Sequence, residues 1–151
     1  MQLFIGKKGK HVKKVDWSLG MHLSRSYHSF KRAATKRMDV HGLTPEQFSV
    51  LSELHKQEGV SQKQLALVTE RDQTTVGKIL DKLVKKGFVM RTSDPRDRRA
   101  FILLTTKEGV HVLELLEPTL DALQEQAFQG LTKAEIEQFI RTLETIHKNV
   151  T

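Results

Sequence analysis

Ser61-Gln62-Lys63-Gln64-Leu65-Ala66-Leu67-Val68-Thr69-Glu70-Arg71-Asp72-Gln73-Thr74-Thr75-Val76-Gly77-Lys78-Ile79-Leu80-Asp81-Lys82-Leu83-Val84-Lys85-Lys86-Gly87 decides the fold. Ser61 answered by Gln64 fits a capping box, and Leu65, Ala66 and Val68 give a short helix one apolar face. Only residues 69–71 then intervene. A second helix starts behind Asp72, turns Val76, Ile79, Leu80, Leu83 and Val84 inward, and stops at Gly87. A short helix, a tight connection and a longer helix form a helix-turn-helix, whose second member is offered to the DNA major groove.

Downstream, Phe88-Val89-Met90-Arg91-Thr92 and Ala100-Phe101-Ile102-Leu103-Leu104 read as two strands around Ser93-Asp94-Pro95-Arg96-Asp97-Arg98-Arg99. Asp-Pro is turn chemistry, because proline fixes its own φ and disfavours the helical region for the residue before it. A hairpin in this place is a wing, able to reach a minor groove or flanking phosphates.

Three further capping boxes place helix starts outside this unit: Thr44-Pro45-Glu46-Gln47, Thr105-Thr106-Lys107-Glu108 and Thr132-Lys133-Ala134-Glu135. Phe48, Leu51 and Leu54 follow the first of these. Val110, Leu113, Leu116, Leu120, Leu123 and Ala127 follow the second, with Pro118 inside the helix and a kink or break expected there. Ile136, Phe139, Ile140, Leu143, Ile146 and Val150 follow the third. Before them all, Trp17, Leu19, Met21, Leu23, Tyr27 and Phe30 recur at near-helical spacing behind Asp16 as N-cap. A helix over residues 105–129 would span about 37 Å, more than a small winged core covers alone, so its stripe wants a partner.

Charge alternates along the 151 residues. Residues 1–37 carry ten basic and one acidic side chain, 38–60 one and four, 61–104 ten and five, and 105–151 four and eight, for a net charge of +7. Basic blocks at the amino end and the centre point to a polyanion-binding surface; solvated lysine-rich helix faces are the plain alternative. The chain has no cysteine, which excludes a disulfide scaffold, a thiolate zinc site and a thiol redox sensor. No apolar run approaches the roughly 20 residues of a membrane helix and no secretory signal pattern opens the chain, so a cytoplasmic protein with no membrane contact is expected.

Three groups of residues carry a family resemblance. Residues 75–89 look like a recognition helix leaving into a wing, Asp94-Pro95-Arg96-Asp97-Arg98-Arg99 like the wing signature, and Leu104-Thr105-Thr106-Lys107-Glu108-Gly109 like the start of the long following helix. Together they resemble the MarR-type multiple-antibiotic-resistance regulators, over a match running from about residue 16 to the carboxyl end. The resemblance implies a mainly α fold with a small β-hairpin wing, in one domain. Its parts are a basic arm (1–15), a dimerisation helix (16–38), the winged helix-turn-helix (44–104) and dimerisation helices (105–151). It further implies a homodimer, a repressor on a pseudo-palindromic operator in double-stranded DNA, and release by a small aromatic or phenolic ligand. Gly77 inside the recognition helix departs from the pattern, at a cost of roughly 1 kcal/mol relative to Ala. Close approach to DNA and a merely tolerated exposed glycine both account for it.

Subtracting the core face leaves Gln73, Thr74, Thr75 and Lys78 outward at the leading end of the recognition helix. Gln73 can address adenine, the threonines a base, a phosphate or a thymine methyl, and Lys78 guanine or a phosphate. Capping is the alternative role for Thr74 and Thr75. Ser61, Gln62 and Arg71 are candidates for phosphate contact. Arg96 and Arg98 lie near the wing tip; the resemblance makes Arg99 the family arginine and Asp97 a structural carboxylate, which is expected to orient one of these arginines by an ion pair.

The resemblance implies an effector crevice between the dimer helices and the DNA-binding lobe, and Trp17, His22, Tyr27, Phe30, His41 and His111 are candidates to line it, dimer core or surface being their other reading. No nucleophile elbow, phosphate-binding loop, dinucleotide fingerprint or His-Glu-x-x-His helix occurs, and no histidines pair at i, i+4, so neither an enzyme nor a metal or other cofactor is expected. A non-specific architectural or RNA-binding module is the competing function. The two differ in whether a palindromic duplex is preferred over random DNA at one salt concentration.

Overall fold

The computed structural model describes residues 18–151. The elements run α1 (Leu19–Asp39), α2 (Pro45–Lys56), α3 (Gln62–Val68), α4 (Gln73–Lys85), β1 (Val89–Asp94), β2 (Asp97–Thr105), α5 (Lys107–Ala127) and α6 (Lys133–Val150). This is the expected mainly helical chain with one hairpin. Capping boxes at Thr44, Ser61 and Thr132 are formed, each hydroxyl accepting the N3 amide while the N3 side chain returns to the cap amide. Two caps differ from expectation. α1 is capped by Ser18, whose Oγ accepts from the Met21 amide, rather than by Asp16, which lies outside the described residues along with Trp17 and the basic arm. α5 is capped by Thr106 instead of Thr105, because Thr105 is held in the sheet as the partner of Val89. Thr106 donates from Oγ1 to the Gly87 carbonyl and accepts from the Gly109 amide.

The core of the winged lobe is Val50, Leu51 and Leu54 of α2, Leu65 and Ala66 of α3, Val76, Leu80 and Leu83 of α4, and Val89 and Leu103 of the hairpin. Val68 of α3 stays exposed, contrary to the expected face, and so does Leu67 outside it, since a seven-residue helix turns only one side to α2 and α4. α4 ends on Gly87 at φ +80°, with Phe88 N–H donating to Leu83 O and Gly87 N–H to Val84 O. These two bonds are a Schellman motif, and the left-handed glycine within it aims the chain into β1. β1 and β2 pair antiparallel from Val89↔Thr105 to Ser93↔Phe101. Val60 adds a single bridge to Leu103, a pairing with no signal in the sequence pattern.

α5 is seated on this lobe through Gly109. It is buried, and a Cβ there would lie 2.3 Å from the Phe88 carbonyl oxygen and 2.8 Å from the Thr105 methyl. Backbone cannot yield as a side chain does, so Gly109→Ala is expected to destabilise by about 1–3 kcal/mol, read as a lowered urea midpoint. An unchanged midpoint would show that α5 lifts off the hairpin freely. Beyond this turn α5 runs unbroken through Pro118 to Ala127. Of the kink or break expected at Pro118, the break does not occur.

Leu116 and Leu123 of α5 are buried together with Ala34 and Met38 of α1 in the same continuous core. Val112 is buried as well, and Ala127 is exposed, shifting the α5 stripe slightly from the one read in sequence. α6 has no buried residue, and α1 is exposed from Leu19 through Phe30. Large apolar side chains on both therefore face solvent in the single chain, among them Met21, Tyr27, Phe30, Phe139 and Ile140.

Candidate nucleic-acid interface

α4 offers its polar side where it begins. Val76, Leu80 and Leu83 face inward, which leaves Gln73, Thr74, Thr75 and Lys78 exposed over the first two turns. Asp72 caps the helix, accepting the Thr75 amide and the Thr75 hydroxyl at 2.8 Å each. The backbone bond first, and the hydroxyl second, hold the Asp72 carboxyl below its ordinary range. A depressed folded-state pKa stabilises above the unfolded value of about 3.9, and that contribution is lost as pH falls through the folded value. Thr75 thus spends its hydroxyl proton inside the helix start, whereas no partner engages the Gln73 amide or the Lys78 ammonium among the described residues.

Gly77 is explained by α3. The Gln62 side-chain amide donates to the Gln73 carbonyl at 3.0 Å, and a Cβ on Gly77 would come within 2.8 Å of that same nitrogen. The glycine lets Gln62 lie flat across the two helices, an explanation different from both readings offered by the sequence. Gln62 is accordingly committed to positioning α4. Ser61 is committed to its capping box with Gln64. Arg71 is half-buried, with Nη1 donating to the Thr69 carbonyl at 3.4 Å and to Ser49 Oγ at 3.5 Å, long bonds that hold the connection between the helices near α2.

The wing tip is built by two carboxylates. Asp94 Oδ1 accepts the Arg96 amide at 2.9 Å and its Nε at 3.4 Å; Asp97 Oδ1 accepts the Arg99 amide at 3.0 Å. The expectation that Asp97 orients an arginine by an ion pair is corrected: Asp97 holds backbone, and the ion pair belongs to Asp94 and Arg96. The reason is local, since a carboxylate at the start of a bend lies within reach of the amide two residues on. The register passes from Ser93↔Phe101 directly to Asp94↔Asp97, so residues 98–100 bulge out unpaired. The guanidinium groups of Arg98 and Arg99 are exposed there without a carboxylate partner among the described residues. At the wing base, Arg91 Nη2 donates to Asp81 Oδ1 at 2.7 Å, tying β1 to α4, a positioning bond that the spacing of charges in sequence did not reveal.

The second candidate site is a groove of about 560 Å³ between α2 and α5. None of the five described residues among those considered for an effector crevice lines it. His22, Tyr27 and Phe30 lie on the exposed half of α1, His41 is half-buried between α1 and α2, His111 is exposed on α5, and Trp17 is outside the described residues. The groove's α5 wall recurs at positions 110, 113, 114, 117, 120 and 121, a helical stripe mixing apolar and acidic residues that a purely apolar pattern overlooks. Among the described residues no group of His, Asp and Glu is arranged to hold a metal ion, and no helix is long and apolar enough to cross a membrane.

A MarR family model matches residues 43–101. The protein assigned as transcriptional regulator of the hcr operon in Thauera aromatica is 30% identical over 132 residues, 86% of this chain and 79% of that protein. This chain belongs to the MarR family. As a MarR-family transcriptional regulator it is a DNA-binding protein and not an enzyme. Two solved MarR-type structures are similar over nearly the whole chain. MepR of S. aureus, in a DNA complex, has a TM-score of 0.83 at 24% identity, covering 89% of this chain and 99% of that one. CouR of Rhodococcus jostii, bound to p-coumaroyl-CoA, has a TM-score of 0.77 at 29% identity, covering 89% and 95%.

Proposed function

We propose that the protein is a homodimeric repressor that reads a pseudo-palindromic operator and is released by a small molecule. One observation carries the DNA reading: the exposed start of α4, with Gln73 and Lys78 unengaged, stands beside a wing whose Arg98 and Arg99 bulge out unpaired. Gln73, Thr74 and Lys78 read base edges in the major groove, Thr75 contributes through its methyl, and the wing arginines take the adjacent minor groove or phosphates. Ser61, Gln62 and Arg71 act mainly by fixing α3 and α4, with the amides at the start of α3 facing a phosphate.

The uncovered apolar faces of α1 and α6 are the dimer surface, and two-fold symmetry then sets two α4 helices about one DNA turn apart. Such a dimer acts by occupancy, excluding polymerase where the operator overlaps a promoter, in the cytoplasm where the DNA is. The groove between α2 and α5 spans the winged unit and the dimerisation helices, a position from which a ligand could change the spacing of the two α4 helices. CouR, a fold relative, has p-coumaroyl-CoA bound. A ligand acts there only through unequal affinity for the DNA-competent and incompetent spacings, worth about 1–3 kcal/mol.

The test is fluorescence anisotropy on duplexes selected from random sequence, against a scrambled duplex at the same salt. Selection of a two-fold symmetric site with at least about a hundredfold preference is expected; equal affinity for all duplexes would make this a non-specific module. Arg98→Ala in the same assay is expected to weaken binding to every duplex and flatten log K against log salt by about 0.9 for each phosphate no longer neutralised. Unchanged affinity and slope would make the wing a solvated turn.

A further inference from the structure

We propose that the groove between α2 and α5 takes a lipophilic cation rather than an aromatic anion, an inference that rests on the effector reading above and names the ligand class. The floor is apolar, from Phe48 on α2 and Val110, Leu113 and Leu120 on α5. Glu114, Glu117 and Asp121 stand along the α5 wall, and none has an ion-pair or hydrogen-bond partner among the described residues. The two basic groups opposite are already matched by carboxylates: Lys56 Nζ lies 3.0 Å from Glu53, and His55 Nδ1 lies 3.3 Å from Glu58. Against these two groups, the three wall carboxylates leave the lining net negative.

Pro118 has no N–H, so the carbonyl of Glu114, a residue of the groove wall, lacks one intrahelical donor. A ligand satisfying this wall brings positive charge or N–H donors, together with an apolar body for the floor. A carboxylate or phenolate would instead meet three carboxylates at close range. The preference runs against the net charge of +7, so simple attraction to the whole protein cannot mimic it.

Tetraphenylphosphonium and tetraphenylborate match in shape and differ in sign, and calorimetric titration of the protein with each isolates the electrostatic choice. The cation is expected to bind about tenfold more tightly, and Glu114→Gln with Glu117→Gln and Asp121→Asn to erase the difference while leaving the unfolding midpoint and operator affinity intact. Equal binding of both ions, tighter binding of the borate, or a preference that survives the triple substitution would overturn the assignment. Anisotropy of the operator complex with the same cation separates this from the effector reading. Groove binding without operator release would uphold the ligand class and reject release. Operator release by salicylate, with no cation preference in calorimetry, would do the reverse.

Discussion

Phe139→Glu together with Ile140→Glu is expected to leave the protein monomeric and to weaken operator binding by about two to four orders of magnitude. Neither side chain is buried in the protomer, where they are 48% and 43% exposed, so the substitutions remove nothing from the core that holds α2 to α5. Buried against a second copy, each such side chain contributes about 1.5–3 kcal/mol, and two charges there would have to be desolvated. The reduced DNA binding follows from geometry. One lobe tethered to its half-site presents the other at millimolar effective concentration, an advantage a monomer forfeits. Sedimentation velocity gives the oligomeric state, and anisotropy on full and half operators gives the affinity. A dimer that persists with unchanged operator affinity would put the two-fold interface elsewhere.

Gln73→Ala is expected to lower the ratio of operator to scrambled-duplex affinity by roughly 1–3 kcal/mol, the discrimination of one good bidentate base pairing. It is a cleaner probe than Thr75→Ala. Thr75 donates its hydroxyl to Asp72, so its removal would mix weaker base recognition with a weakened helix start, whereas the Gln73 side chain is not committed within the helix. The Gln73 carbonyl, held by Gln62, fixes where that side chain begins, and Gly77→Ala, by displacing the Gln62 amide, is expected to reproduce a milder form of the same effect. Anisotropy at a fixed salt concentration measures both. Uniform weakening on every duplex after Gln73→Ala would reassign the residue to phosphate binding.

Much of the fold was legible because its signals are local. A cap hydroxyl reaching an amide three residues on, an apolar face recurring every three or four residues, and a glycine ending a helix act within one or two turns. Thr44, Ser61, Asp72, Gly87 and Thr132 accordingly mark in sequence what they do in space. The outward set on α4 follows from the same periodicity. What escaped depends on a second element. Thr105 offers as good a cap as Thr106, and only pairing with Val89 takes it into the sheet.

By itself, then, the sequence determined the order of elements, the buried side of α2 and α4 and the residues offered at the start of α4, since each is set by neighbours along the chain. Tertiary structure alone decided that Gly77 makes room for Gln62 and that Gly109 lies against the Phe88 carbonyl. It also decided that Asp81 anchors Arg91 and that α2 and α5 flank an acidic groove. The physical reason is range: these interactions join atoms that nothing in local propensity brings together, and their geometry exists only once the core of Leu51, Leu80, Leu103 and Leu116 has closed.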